Sequence, residues 1–262
     1  MKKIINNFFN SKFFDQLPII FQRRFRKIFG VNFCLTNFNN LPKKNYEFNF
    51  SEKYQNFIIN NFNTKNYVSR NSCKYLAKLI FKKKIKKANF LDFGGGDINT
   101  YLELKKIKNL NYFYFDVEKK RKIIKKIKKK FNFKNLFIVN TNITNKKKIN
   151  FTFFGSSISY VSQYEKVLKT ITANRCKYIL FSGIIFFSKE KFNKNIITKQ
   201  LNLLPSKYYL YFFNKKKFLY FFIQKNYKIK FIIKNHYKKL TFKNLSFFSN
   251  KIEYVDVLFE RI

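Results

Sequence analysis

Acidic residues are scarce in this chain: 13 Asp and Glu stand against 56 Lys and Arg, leaving a formal charge of +43 over 262 residues. An excess of this size points first to a polyanion partner, because cationic side chains neutralise phosphates. Arginine is scarce as well. Only seven of the 56 basic residues are Arg, and the lysines are spread along the chain among Asn, Ile and Phe, as in a compositionally biased coding sequence. Phosphate recognition favours the planar Arg fork, so nucleic acid is a secondary reading. The three cysteines, Cys34, Cys73 and Cys176, are odd in number, far apart and without metal-ligand spacing, so neither a disulfide framework nor a zinc site is suggested, and a reducing, cytoplasmic setting fits. No metal is expected. The one histidine, His236, lies in "KNHYKK" and reads as a surface residue. Long apolar runs are missing too, and none approaches the roughly 20 residues that span a bilayer. The opening "MKKIINNFFNSKFF" has the two lysines of a signal peptide, but polar Asn6, Asn7, Asn10 and Ser11 interrupt the apolar segment one needs. The mixture of aromatic and basic residues in "IIFQRRFRKIF", 19 to 29, leaves two readings open: peripheral membrane contact, or an ordinary surface helix with its Phe face inward.

What is abundant is apolar mass. With 46% hydrophobic and 21% aromatic residues the chain can fill a sizeable core. From about residue 70, short apolar runs alternate with lysine-decorated helical patterns. "ANFLDFG", "NYFYFDV", "NLFIV", "INFTFFGSS" and "KYILFSGIIFF" read as buried strands, and "KKRKIIKKIKKKF" places Ile123, Ile124, Ile127 and Phe131 on one helical face. Ser162 and Glu165 have the spacing of a capping box, with Tyr164, Val167, Leu168 and Ile171 as the buried stripe behind it. Parallel strands need helix-sized crossovers, so the pattern predicts a doubly wound α/β fold with a mostly parallel seven-stranded sheet. Its last two strands, "YKIKFIIK" and "IEYVDVLFERI", read as an antiparallel pair at the sheet edge. Residues 1–65 read as an irregular or helical N-terminal extension, and 66–262 as one domain with an insertion at about 188–213, where no period is evident.

Glycine is the third scarcity: there are six, and three of them stand together at 94 to 96 in "LDFGGGD". Between a strand and a helix, clustered glycine lets the backbone turn sharply and a ligand lie close to it. A dinucleotide pyrophosphate fits poorly. Asn99 stands at the third glycine of that fingerprint, and Asp92 and Asp97 flank the turn; each acid–phosphate pair costs about 1 kcal/mol at 4 Å in water and about 4 at an effective dielectric of 20. A cationic adenosyl cofactor reverses the sign. An adenosine ligand also calls for a carboxylate at the end of the next strand, about 20 residues on, to accept from the ribose. Asp116 stands 22 residues after Gly94, and Glu118 suits a helix-start role better.

These residues resemble the first motif of the class I S-adenosylmethionine-dependent methyltransferases: an acid at the end of strand one, Asp92, followed by Gly94 and Gly96 in register, with Ile98 where the family has its third glycine. The resemblance covers about residues 70 to 260. It implies S-adenosyl-L-methionine as cofactor, held by Asp92, Gly94, Gly95, Gly96, Asp116, Asn142 and Ser156, with Ser157 and Tyr160 of "GSSISY" as acceptor-side candidates. More narrowly, "LDFGGG" with "SSISYV" is similar to methyltransferases associated with cell-surface polysaccharide genes. A small molecule or sugar-containing intermediate is then the expected substrate, with an RNA methyltransferase and a noncatalytic methyltransferase-like protein as alternatives. The resemblance names no general base and no acceptor atom.

Overall fold

A computed structural model describes residues 2–36, 56, 59–60, 71–82, 88–107, 109–140, 148–189, 194–202, 204, 208–234, 242–245 and 251–262. Asn142 and His236 lie outside them. Helices α1 (Lys2–Asn10), α2 (Lys12–Gln16) and α3 (Ile19–Phe29) come first, followed by strand β1 (Phe33–Thr36) and helix α4 (Asn71–Lys82). The alternating segment follows as β2 (Ala88–Phe93), α5 (Asn99–Leu104), β3 (Leu110–Phe115), α6 (Glu118–Lys130), β4 (Leu136–Ile138) and β5 (Phe151–Gly155). A 3-10 turn at Ser157–Tyr160 leads to α7 (Tyr164–Ala173) and the long strand β6 (Tyr178–Ser188). The chain ends with β7 (Ile196–Gln200), β8 (Tyr208–Asn214), α8 (Lys215–Ile223), β9 (Tyr227–Lys234) and β10 (Lys251–Arg261).

Seven strands form the main sheet in the order β4-β3-β2-β5-β6-β10-β9. The five from β4 to β6 are parallel, whereas β10 is antiparallel to both of its neighbours, β6 and β9. The closing pair is therefore antiparallel as expected, with the last strand inserted inside it. Helices cover both faces. Leu76 and Ile80 of α4, Tyr101 and Leu104 of α5 and the buried Ile123, Ile124 and Ile127 of α6 pack against Phe90, Tyr112 and Phe153 on one face. Leu168 and Ile171 of α7 and Phe218 and Phe222 of α8 pack against Leu91, Phe113, Phe181 and Val257 on the other. Neighbouring strand residues thus serve opposite cores, which is why these strands read as continuous apolar runs.

The amphipathic helices form where the pattern places them. In α6 the isoleucine stripe is buried, Glu118 lies in the first turn, and Lys128, Lys129 and Lys130 fall in the last turn, where the helix dipole favours them. One start signal does not hold. Helix α7 begins at Tyr164 with Gln163 as its N-cap, and no side chain caps it. Glu165 instead accepts a hydrogen bond from the Tyr164 hydroxyl at 2.9 Å, so the Ser162–Glu165 spacing is not used as a box.

The stretch 188–213, which shows no period in the sequence, holds two strands. β7 and β8 form an antiparallel hairpin, and β1 pairs antiparallel with β7, giving a three-stranded ribbon. It joins the main sheet where Phe186 and Phe187, beyond the end of β5, pair with Phe213 and Asn214. Phe9, Phe14, Val31 and Cys34 from the N-terminal segment make a separate core with Leu201 and Leu204. Lys199 pins the two together: it is 2% exposed, ion-paired to Asp15 at 2.6 Å, and donates to the Phe9 carbonyl at 3.0 Å.

Candidate functional site

Open α/β sheets bind ligands beyond the carboxyl ends of their parallel strands, where the strand order reverses. Here that point lies between β2 and β5, and the glycine turn leaves β2 at this place. Gly94 and Gly96 have φ of +71° and +60°. The Gly94 and Gly95 amides both donate to the Phe115 carbonyl, at 2.7 and 3.2 Å, and the Gly96 amide donates to Asp116 Oδ2 at 2.9 Å. The turn is thereby tied to the end of β3 by its own donors.

Protein side chains close over two of the three glycines. A Cβ at position 94 would collide with the Ser157 side chain, and one at 95 would lie 2.6 Å from the Tyr114 ring. Beside Gly96 the space is open, the nearest atom being Lys120 Nζ at 3.8 Å. Gly94 and Gly95 therefore serve packing first. Asp92 is 1% exposed, accepts a hydrogen bond from the Tyr112 hydroxyl, and has Oδ2 2.8 Å from where a Cβ of Gly95 would stand. Its carboxylate thus lies against the underside of the turn. The sequence places it beside the turn without revealing its direction, because strand alternation assigns a face and not a height.

Asp116 stands at the rim. Its Oδ2 also accepts from the Tyr114 hydroxyl at 3.2 Å, its Oδ1 accepts from the Val117 amide at 2.7 Å, and Lys120 lies 3.8 Å away, one helical turn along α6. A carboxylate offers about four acceptor positions, so one at Oδ1 is left for a ligand. Glu118, one turn from Lys122 and paired with it at 3.0 Å, is exposed. Hydrogen bonding and charge from Lys122 lower its pKa.

Ile98 sits at the glycine position of the motif with φ 55° and ψ 21°, a left-handed conformation that β-branched residues rarely adopt. The turn keeps its course because the side chain is fully buried against the β2–β3 core.

Across the strand ends, Ser156 (φ 68°) opens the 3-10 turn, donates to the Ser182 carbonyl at 3.0 Å and lies 3.3 Å from the Tyr254 hydroxyl. Gly183 makes this meeting feasible: a Cβ there would strike the Tyr254 hydroxyl and approach Ser156 Oγ to 2.5 Å. Ser157 donates to the Phe93 carbonyl, binding the 3-10 turn to the end of β2. Tyr160 donates to Gln200 Oε1 at 2.8 Å, and burial, reinforced by the neighbouring Tyr254, pushes its pKa well above the usual phenol value.

Ser156, Tyr160, Gly183 and Tyr254 border a cavity of about 530 Å³ that the N-terminal segment and the ribbon also line. Ser156, Ser159, Tyr160 and Tyr254 line it from the main domain, Gln200 and Asn202 from the ribbon side, and Arg26 and Asn32 from the N-terminal segment. The structure thus gathers Ser156 and Tyr160 at the cavity, and Asp116 with Gly96 at the turn. Ser157 is taken up between turn and strand. Thr152, in β5, is buried with its hydroxyl 3.3 Å from Cys176 Sγ. Arg26 and Gln200 carry no motif and reach the cavity through pairing between distant segments, while Ser159 lies within "GSSISY" beside the candidates and is not singled out by the pattern. Among the described residues, no group of three His, Cys, Asp or Glu is placed to hold a metal, and no helix is long and apolar enough to cross a membrane.

No family model and no curated protein sequence matches the chain. Solved structures match its fold. An S-adenosylmethionine-dependent methyltransferase from Clostridium acetobutylicum superposes with a TM-score of 0.50 at 11% identity, over 80% of this chain and 99% of that one. The N-terminal domain of EvdMO1, crystallised with S-adenosylhomocysteine (SAH) and D-fucose, gives 0.52 at 7% identity, over 82% and 100%. The [4+2]-cyclase SpnF gives 0.50 at 7% identity, over 71% and 80%. With its strand order, the antiparallel strand inserted beside the edge and the glycine turn after its first parallel strand, the chain has the fold of the S-adenosylmethionine-dependent methyltransferases of class I.

Proposed function

We propose that the chain is an S-adenosylmethionine-dependent methyltransferase acting on a small molecule, with a sugar-containing intermediate as the substrate class. The observation that carries the reading is the Asp116–Gly96 pair at the rim of the turn. All three glycine amides are engaged by the end of β3, so the turn offers no nest of donors to a pyrophosphate, while Asp116 keeps acceptor capacity for ribose hydroxyls. The residues present therefore suit an adenosyl ligand without phosphate. Asp116 would hold the ribose, and the open side of Gly96 would let the ligand approach the backbone. Such a cofactor supplies a methyl group already activated by a positively charged sulfur. The protein's part is alignment and exclusion of water, and positioning of this kind is worth roughly 7 to 11 kcal/mol. The cavity beyond Ser156, lined from three parts of the chain, suits the alignment. Its hydroxyl and amide lining supports a sugar-containing acceptor, and the EvdMO1 domain of the same fold was crystallised with D-fucose.

Calorimetry of the purified chain with SAH against NAD tests this directly. The expected result is micromolar binding of SAH and none of NAD, with Asp116→Ala weakening SAH tenfold or more. Heat from NAD alone, or from neither ligand, overturns the reading; the second result leaves a methyltransferase-like fold without its cofactor.

The N-terminal helices support a second partner, an anionic lipid surface. On α3, Ile20 and Ile28 are 73% and 67% exposed, and helical spacing sets Arg24 and Lys27 between them; Phe13 of α2 is 62% exposed. Apolar side chains interleaved with cations are what interfacial helices present. Sedimentation with phosphatidylglycerol vesicles is expected to bring the chain down, and Ile20→Glu with Ile28→Glu to leave it in solution. Equal sedimentation with phosphatidylcholine alone argues against a charge-assisted contact.

A further inference from the structure

The cavity has a chemical signature that narrows its occupant. Among its described lining residues Arg26 is the only one that carries a formal charge, and no carboxylate faces it. The Arg26 guanidinium is steadied by a hydrogen bond from Nη1 to Asn32 Oδ1 at 3.1 Å, which uses one of its five N–H donors. Two further polar atoms are buried on this lining without a partner: Ser159 Oγ, on a residue 1% exposed, and Asn202 Oδ1. A buried polar atom without a partner costs about 1–3 kcal/mol; both residues line the cavity, and a side-chain rotation toward it would let a ligand hydroxyl satisfy each oxygen. Phe33, Ile185 and Leu210 form an apolar wall in the same cavity, suited to the C–H face of a ring.

We infer that the acceptor is an anionic, hydroxylated ring compound: its carboxylate or phosphate rests on Arg26, and its hydroxyls bond to Ser159 and Asn202. This rests on the proposed methyltransferase reading and adds to it the charge of the substrate. It also gives the N-terminal segment a part in the site, since α3 supplies the one charged contact. Arg26 donates to an anion in planar, paired geometry, a fork that Lys does not reproduce. An uncharged or cationic acceptor would leave that fork desolvated and unmatched.

The test uses the full chain loaded with SAH, titrated by saturation-transfer NMR with glucuronate, galacturonate, glucose 1-phosphate and inorganic phosphate, and with glucose, galactose and glucosamine as counterparts. At least one ring acid is expected to bind, tenfold or more tighter than its neutral and amino counterparts and than phosphate alone. The carboxylate and phosphate arms then say which anion is accommodated. Arg26→Gln is expected to remove that preference, Arg26→Lys to restore part of it, and Ser159→Ala to weaken the ring acid several-fold, with SAH affinity unchanged in all three. The inference falls if SAH binds but no ring acid does, if the neutral sugars bind equally well, or if Arg26→Gln leaves the preference intact. Failure of the wild-type chain to bind SAH instead removes the methyltransferase reading beneath it.

Discussion

Ser157 occupies the space that a side chain at position 94 would need. The β2 turn and the 3-10 turn after β5 are therefore in direct contact, and the hydrogen bond from Ser157 to the Phe93 carbonyl fastens them. With φ at +71° as well, Gly94 is constrained twice over.

Gly94→Ala is expected to destabilise the fold by about 2 kcal/mol or more, combining left-handed strain with overpacking. Ser157→Gly in the same chain removes the collision and leaves the strain. Urea denaturation of the two single variants and the double should then show coupling of about 1 kcal/mol or more. Additive losses would mean that the two turns do not touch.

Ile98 gives a reversed ordering. A left-handed conformation costs a side-chain-bearing residue about 1–2 kcal/mol, whereas Ala normally exceeds Gly by about 1 kcal/mol inside a helix. Both Ile98→Ala and Ile98→Gly lose the buried side chain, at about 2–5 kcal/mol. Thermal unfolding should nevertheless place the Gly variant above the Ala variant. If Ala proves more stable, residue 98 is not left-handed.

The pair between Lys199 and Asp15 joins the ribbon to the N-terminal helices, with the Lys end buried and the Asp side chain 26% exposed. Asp15→Ala strands a buried cation. Truncating such a pair costs about 3–5 kcal/mol when both partners are buried, and solvent at the Asp end lowers the expectation to about 2. Limited proteolysis should then cut the N-terminal segment faster than the main domain; uniform cleavage would show that the pair does not hold the segment in place.

Acid should loosen the last strands first. A hydrogen bond and charge from Lys215, with Lys234 adding to them, hold the Glu253 carboxyl below its ordinary value of 4.5. At Glu260 burial raises the pKa, but hydrogen bonds from Tyr178 and Lys230 outweigh it and the net shift is also downward. A carboxyl lowered on folding stabilises the fold above its unfolded pKa, and that contribution fades as pH falls through the folded value. The melting-temperature gap between wild type and Glu253→Gln is thus expected to be open at pH 7 and to close below about pH 4.5. A gap independent of pH would show that the carboxylate contributes only packing.

Part of this site is legible in the sequence, because its signals are local. Three adjacent glycines can only be a turn, and the count from Gly94 to Asp116 follows from the turn, one helix and the next strand; the structure sets Asp116 2.9 Å from the Gly96 amide. The isoleucine stripe of α6 is equally local. The direction of Asp92 is not, since whether its carboxylate lies under the turn or on the cleft depends on Tyr112 and Tyr114 in the neighbouring strand.

The sequence by itself determined the alternation of strands and helices, the glycine turn, the acid at the end of the second parallel strand and the antiparallel close, each through a period or spacing within one element or its neighbour. Tertiary structure decided that β10 lies between β6 and β9, that β1 pairs with β7 across some 165 residues of chain, and that Arg26 and Ser159 meet at one cavity. Those arrangements depend on which buried surfaces fit together once the chain is compact. β7, buried along its whole length, shows no alternation from which such pairing could be read.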